Sequence, residues 1–243
     1  MNLCKGISLR NRGFDGVIDI GAFERGSKGG SMRPLILVLI LAFAVSVTYA
    51  QSGLPDLIVD SSRLQSSIFL KTEIIRSSGC AYAEGCVAGT GKRKLLKFDT
   101  AIANIGTADV VLGNPASHPE LYEWSACHGH YHLKAATIYE LLSLDMTTVV
   151  AGRKNAFCFL DGSRYDPNAG PSSGYNCSNQ GITSGWQDVY FHSLDCQWID
   201  VTGVPTGNYI LKVTVNQNGL IGESNYSNNS AFANVKIAQG KKN

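Results

Sequence analysis

Three of the chain's five histidines fall within five positions, in the run Cys127-His128-Gly129-His130-Tyr131-His132. Alternate residues of a strand share a face, so this spacing aims all three imidazoles to one side. Clustered neutral nitrogen donors do little for packing, but they supply three of the four ligands of a tetrahedral or tetragonal metal site. A transition metal is the chemistry on offer. The bland alternative is an exposed polar strand face that happens to carry histidine. Reach adds a condition, because the outer Cα atoms of such a straight strand lie about 13 Å apart. An imidazole plus a metal bond extends only about 6.5 Å from its Cα. The chain must therefore bend or bulge inside the run, and Gly129 is the residue that permits it.

The elements around the run read as all-β. Leu96, Phe98, Thr100 and Ile102 alternate with Lys97, Asp99 and Ala101 up to a turn at Asn104-Ile105-Gly106-Thr107. Tyr209, Leu211, Val213 and Val215 alternate with Lys212, Thr214 and Asn216, and Ala231, Ala233, Val235 and Ile237 make a last run. No amphipathic helix of three or more turns stands out, and Gly, Ser, Asn and Asp clusters separate the apolar runs. The expected fold is a compact antiparallel β-sandwich with long loops around the metal site. Lys92-Arg93-Lys94, beside Gly89 and Gly91, reads as the tip of a solvated hairpin. The stretch from Asp161 to Trp186 is too long for an ordinary loop, and Cys177 within it argues for a tethered, functional one.

Met32-Arg33-Pro34, the apolar run Leu35 to Val45 and Ser46-Val47-Thr48-Tyr49-Ala50 have the three regions of a secretory signal over residues 32–50. That run is too short to read as a membrane span, so none is expected after cleavage. Residues 1–31 read as a non-native or disordered extension from an early start, and 51–243 as the domain proper. Six of the seven cysteines, Cys80, Cys86, Cys127, Cys158, Cys177 and Cys196, follow the signal, and Cys4 precedes it. An even number in an exported chain points to three disulfides in a secreted, extracellular protein, or a periplasmic one in a Gram-negative host. Many pairings are open on arithmetic alone, and the lack of any CxxC argues against thiolate metal binding. A net charge of +2 with 16% charged residues offers no basic field for nucleic acid.

Further blocks, in order, are Pro55-Asp56-Leu57-Ile58, Cys80 with Cys86, Glu123-Trp124 ahead of the histidines, Lys154-Asn155-Ala156-Phe157-Cys158 and Asp188-Val189-Tyr190. Asp195-Cys196-Gln197-Trp198-Ile199-Asp200, Gly207-Asn208-Tyr209-Ile210-Leu211-Lys212-Val213 and Glu223-Ser224-Asn225-Tyr226-Ser227-Asn228-Asn229 complete the set. Together they resemble the catalytic domain of the lysyl oxidase family, from about Leu54 to Ile237. The resemblance implies a lysyl oxidase-like catalytic domain over 51–243 that binds copper through His128, His130 and His132. It also implies that Lys154 and Tyr190 crosslink into lysine tyrosylquinone. The implied activity oxidises primary amines or protein lysines with oxygen, giving aldehyde, ammonia and hydrogen peroxide. On the residues alone, Lys154 reads as a solvated turn lysine and Tyr190 as a half-buried strand aromatic.

The departures from the family pattern are specific. Ser125 stands where family members often carry a further histidine, which leaves a metal position to water or oxygen. Arg164 and Trp186 stand at two family cysteine positions that pair with each other. With that bridge gone at both ends, the resemblance implies Cys80–Cys127, Cys86–Cys196 and Cys158–Cys177. Asp188, Asp195 and Asp200 flank Tyr190 as candidate bases, each read first as structural, and Asp188 shares a strand face with Tyr190. His118 and His192 read as loop or surface imidazoles, although His192 has the strand parity of Tyr190. Two rival readings remain: a copper- or zinc-binding sandwich without oxidase activity, and an immunoglobulin-like adhesion module.

Overall fold

The computed structural model describes residues 53–156 and 158–238, without the side chains of 135–136 and 152–156. The extension 1–31, the signal segment 32–50 and Cys4 lie outside the described residues. In chain order the strands are β1 (Leu57–Val59), β2 (Phe69–Ile75), β3 (Gly91–Lys97), β4 (Thr100–Asn104), β5 (Val110–Gly113), β6 (Tyr122–Ser125) and β7 (His130–Leu142). They continue as β8 (Thr148–Ala156), β9 (Ser163–Arg164), β10 (Gln180–Ile182), β11 (Trp186–Tyr190), β12 (Trp198–Asp200), β13 (Gly207–Val215) and β14 (Ser230–Ile237). The α-helices α1 (Ser61–Ser67) and α2 (Cys80–Ala83) are both short. The fold is all-β, and each of these strands pairs antiparallel. Among the described residues no helix is long and apolar enough to cross a membrane.

The 13-residue β7 is the axis of the larger sheet. Its first residues pair with β6, and its remainder lies between β13 and β8, with β14 beyond β13. The sheet β1-β4-β11-β9 shares one core with it, where Leu57, Ile102 and Tyr190 meet Tyr139, Leu141, Leu211 and Val213. Only one face of β14 is covered, so Ala231, Ala233, Val235 and Ile237 are buried and Phe232, Asn234 and Lys236 are exposed. Its outer edge is occupied by α1. The Gln65 side chain donates to the Asn234 carbonyl at 3.2 Å and accepts from the Asn234 amide at 2.7 Å, which blocks further strand pairing there. Asp60 caps α1 by accepting from the Ser62 and Arg63 amides.

The run Leu96 to Ile102, expected as one strand, breaks at Phe98-Asp99 into two. β3 pairs with β2 and β12, whereas β4 pairs with β1 and β11, so the chain changes sheets at that corner. The corner covers both faces, and the polar half of the alternation is buried with the apolar half. Lys97 is accommodated by an ion pair to Glu73 at 3.1 Å and by its ammonium lying 4.6 Å over the Trp198 ring. Lys92-Arg93-Lys94 lies within β3 rather than at a hairpin tip, with Arg93 bound to Asp200 at 2.5 Å.

The Asp161 to Trp186 stretch is built rather than loose. It contains β9 and β10, and Asp161 accepts from the Thr183 amide at 2.8 Å and from the hydroxyls of Ser172 and Thr183. Cys158–Cys177 ties it down. All three expected bridges are present, with Cα separations of 5.7 Å for Cys80–Cys127, 5.3 Å for Cys86–Cys196 and 5.0 Å for Cys158–Cys177. The two lost cysteine positions are direct partners across β9 and β11, and the Arg164 guanidinium sits 5.5 Å over the Trp186 ring. A cation–π contact occupies the place of a covalent bond.

This register predicts that the R164C/W186C double variant closes a further bridge. Opposed Cα atoms of an antiparallel pair lie roughly 4.5–5.5 Å apart, within the disulfide range. Thiol titration of the oxidised variant should find no free thiol beyond the wild type. Its unfolding free energy should rise by about 1 to 3 kcal/mol, the loop-closure gain less the lost cation–π contact. Two titratable thiols after oxidation would contradict the register.

Candidate metal centre

The site is assembled by the hairpin between β6 and β7. Ser125 and His130 are the last paired residues, and the Gly129 amide donates to the Ser125 carbonyl at 2.8 Å to close the turn 126–129. Gly129 has φ +69°, and a Cβ there would meet nothing within 4 Å, so backbone conformation rather than crowding demands glycine. His128 therefore lies in the turn and not on the strand, while His130 and His132 alternate on β7. The bend required of Gly129 folds His128 back over the strand. Ligand nitrogens of all three histidines lie within 4.8 Å of one another.

Nitrogens on one tetrahedral ion with bonds of about 2.0–2.1 Å stand roughly 3.3 Å apart. Small side-chain rotations close the difference, and a triple imidazole set fits copper or zinc. Hydrogen bonding also prepares the rings. His130 Nδ1 donates to the His128 carbonyl at 3.1 Å, which leaves Nε2 as the nitrogen that could bind a metal. His128 Nδ1 stands 3.3 Å from Glu84 Oε1, and its Nε2 stands 3.8 Å from Asp195 Oδ2. The Ser125 hydroxyl donates to Glu84 Oε1 at 2.6 Å and accepts from the His128 amide at 3.1 Å. Cys127, within the turn, is held to Cys80.

A cavity of about 580 Å³ opens beside this cluster, lined by His130, Asp188, Tyr190, Leu160, Phe191, Leu194, Arg63 and the Cys158–Cys177 bridge, among others. Asp188 and Tyr190 lie two apart on β11 and are 4% and 3% exposed. The Tyr190 hydroxyl is 3.4 Å from the Cys158 carbonyl. Burial raises the Asp188 pKa to about 7, only partly offset by hydrogen bonds from Tyr190 and from the Leu160 and Val189 amides. Burial, and then the neighbouring Asp188 charge, push the Tyr190 phenol well above its ordinary range.

The other carboxylates separate cleanly. Asp200 has a lowered pKa, because hydrogen bonds from Thr202 and Arg93 outweigh its burial, and it serves β3 and β12. Asp195 is largely exposed beside His128. Lys154 lies in β8 opposite Thr137 of β7, and its side chain is outside the described set. His118 pairs with Glu120 at the surface. His192 binds Asp99 at 2.7 Å, and Asp99 in turn holds Arg63 at 3.3 Å, so it reaches the cavity only through two intermediaries.

The family profile described as Lysyl oxidase matches residues 55–242. The chain belongs to the lysyl oxidase family. It is 37% identical over 206 residues to "Lysyl oxidase homolog 3B" of Danio rerio, covering 80% of this chain and 25% of that protein. It is also 37% identical over 193 residues to "Lysyl oxidase homolog 3" of Homo sapiens, covering 74% of this chain and 25% of that one. The chain thus spans about a quarter of the length of these curated relatives. A solved CARDB domain from Pyrococcus furiosus aligns with a TM-score of 0.29 at 14% identity, over 76% of this chain and 90% of that one, a likeness too slight to bear on the fold.

In this lysyl oxidase-family domain, the signal missed in the sequence is Glu84, which has no motif of its own beyond its place between Cys80 and Cys86. Asp188 was visible by parity but not by burial. Its raised pKa has a measurable consequence, because the folded state holds the proton more tightly than the unfolded chain. Its contribution is fully favourable below the unfolded value near pH 4 and is lost as pH rises through about 7. Denaturant melts at pH 4.5 and pH 8 should show the wild type losing up to about 3 kcal/mol more than Asp188→Asn over that interval. Parallel pH profiles would place the ionisable burden elsewhere.

Proposed function

We propose that this domain is a secreted, copper-dependent amine oxidase that converts primary amines, protein lysine side chains among them, to aldehydes. The carrying observation is the convergence of three histidine nitrogens within 4.8 Å, with one of the three, His130, lining the cavity that also holds Tyr190 and Asp188. Imidazole ligands and the Irving–Williams order favour copper over zinc. Bound copper, with a lysine tyrosylquinone formed from Lys154 and Tyr190, supplies the electron sink and the route to oxygen that ordinary side chains lack. The amine gives up two electrons and its nitrogen leaves as ammonia. Water supplies the aldehyde oxygen, and oxygen is reduced to hydrogen peroxide.

The chain's own residues have separate tasks in this reading. His128, His130 and His132 hold the ion. Leu160, Phe191 and Leu194 take up the aliphatic part of the substrate and thin out the water around Tyr190. Asp188 removes the proton from the carbon that bears nitrogen, a role suited to a carboxylate titrating near neutrality. The Cys158–Cys177 bridge keeps the cavity wall in place. The three bridges also support folding in an oxidising compartment after export through the 32–50 signal.

Peroxide release from copper-loaded protein with a simple primary amine tests the reading. Lys154→Arg keeps the charge but not a nucleophilic amine, and Tyr190→Phe removes the phenol while nearly conserving volume. Both variants should stay folded and copper-bound, with peroxide release reduced to background. A His130→Ala/His132→Ala variant should lose stoichiometric copper. Phenylhydrazine should inhibit the wild type and leave a coloured adduct. Copper-loaded wild type that yields neither adduct nor peroxide would make the domain a metal-binding module without oxidase activity.

A further inference from the structure

Glu84 is hydrogen-bonded to Ser125, the position beside the histidines where this chain departs from the family pattern, and has no role in the chemistry proposed above. It follows α2 directly and is flanked by Cys80 and Cys86, whose bridges run to Cys127 in the histidine turn and to Cys196 after β11. The carboxylate is thus carried on a segment clamped to both sides of the site. Its Oε1 receives the Ser125 hydroxyl at 2.6 Å and stands 3.3 Å from His128 Nδ1. Ser125 also receives the His128 amide at 3.1 Å, so one hydroxyl fixes both the carboxylate and the backbone of the histidine it faces. The Glu84 and His128 side chains are only 21% and 12% exposed, which limits screening of their interaction. Glu84, Ser125 and His132 further line a cavity of about 360 Å³.

We propose that Glu84 is a positioning residue of the metal centre, accepting the Nδ1–H of His128 and so committing its Nε2 to the ion, with Ser125 as its anchor. The inference rests on the metal reading given above. A neutral imidazole has one donor and one acceptor nitrogen, and a carboxylate at Nδ1 selects the Nδ1–H tautomer and makes Nε2 a stronger ligand. His130 obtains the same selection from the His128 carbonyl. His130 and His132 are also held by the β6–β7 ladder, whereas His128 lies in the turn and depends on contacts of this kind.

The test is a copper(II) titration against a competing chelator, with electron paramagnetic resonance of the loaded protein and nitrogen-15 spectra of the histidine rings in the metal-free protein. Wild type should show His128 as the Nδ1–H tautomer. Glu84→Ala should abolish that preference, weaken copper about 10- to 100-fold and change the copper hyperfine pattern, with circular dichroism unchanged. Glu84→Gln keeps an acceptor oxygen of the same size and should recover part of the affinity, remaining several-fold weaker than wild type. Ser125→Ala should fall in the same direction. Wild-type affinity and an unchanged resonance spectrum in a folded Glu84→Ala protein would overturn the inference. If Glu84→Ala does not fold, Glu84→Gln decides by the same criterion. Wild type that binds no stoichiometric copper would overturn the copper reading and this inference together. Copper-binding wild type with indifferent Glu84 variants would overturn this inference alone.

Discussion

An imidazole reaches only about 6.5 Å from its Cα to a bound ion, and that limit governs this molecule. Three histidines spread along a straight strand cannot share one ion, so the chain must fold one of them back. The turn at 126–129 does this through the left-handed backbone of Gly129. The other two histidines are then fixed by β7, which runs from the site into the main sheet. At its far end the Tyr139 hydroxyl donates to Gln197 at 3.0 Å, and Gln197 donates to the Phe98 carbonyl and to Thr100. The histidine end of β7 is therefore backed by the Tyr139–Gln197–Thr100 hydrogen bonds.

The second half of the site comes from the opposing sheet. β11 is paired along its length with β4, and that register sets Asp188 and Tyr190 on one face of a strand whose position the core already determines. The remaining cavity wall is a long connection held by Asp161, Asp109, one disulfide and the short strands β9 and β10. Asp109 accepts from Ser173 at 2.6 Å and from the Ser184 amide at 2.9 Å, which extends the anchorage to the start of β11. On the reading proposed above, Asp188 and Tyr190 sit on a strand, and the apolar residues that would meet substrate, Leu160, Phe191 and Leu194, lie in the connections flanking it.

Much of this was legible in the sequence because it obeys local rules. β13 and β14 alternate cleanly, since each presents one face to the core. The histidine run and Gly129 announced both a cluster and its bend, and the family pattern supplied the cysteine pairing that spacing alone left open. What escaped was tertiary. The corner at Phe98-Asp99 has no glycine or proline to mark it, and the sheet change buries Lys97 in an alternation that reads as half-exposed. The near-neutral titration of Asp188 arises from desolvation by the cavity wall, which no two-residue spacing encodes. Glu84 meets His128 because the Cys80–Cys127 bridge ties α2 to the turn.

Those bridges impose an order of assembly. The segment bearing Glu84 and the turn bearing His128 are separated by more than a strand's length of chain and are joined through Cys80–Cys127, while Cys86–Cys196 brings the region after Tyr190 to the same helix. A chain whose thiols were still reduced would offer an arriving copper ion soft sulfur ligands in place of a formed imidazole cluster. On the reading proposed above, oxidation of sulfur would come first, metal second and any chemistry at Tyr190 last. The helix between the two bridges would thereby act as a timing element: its closure would convert the most competitive metal ligands of the nascent chain into struts behind the histidine cluster.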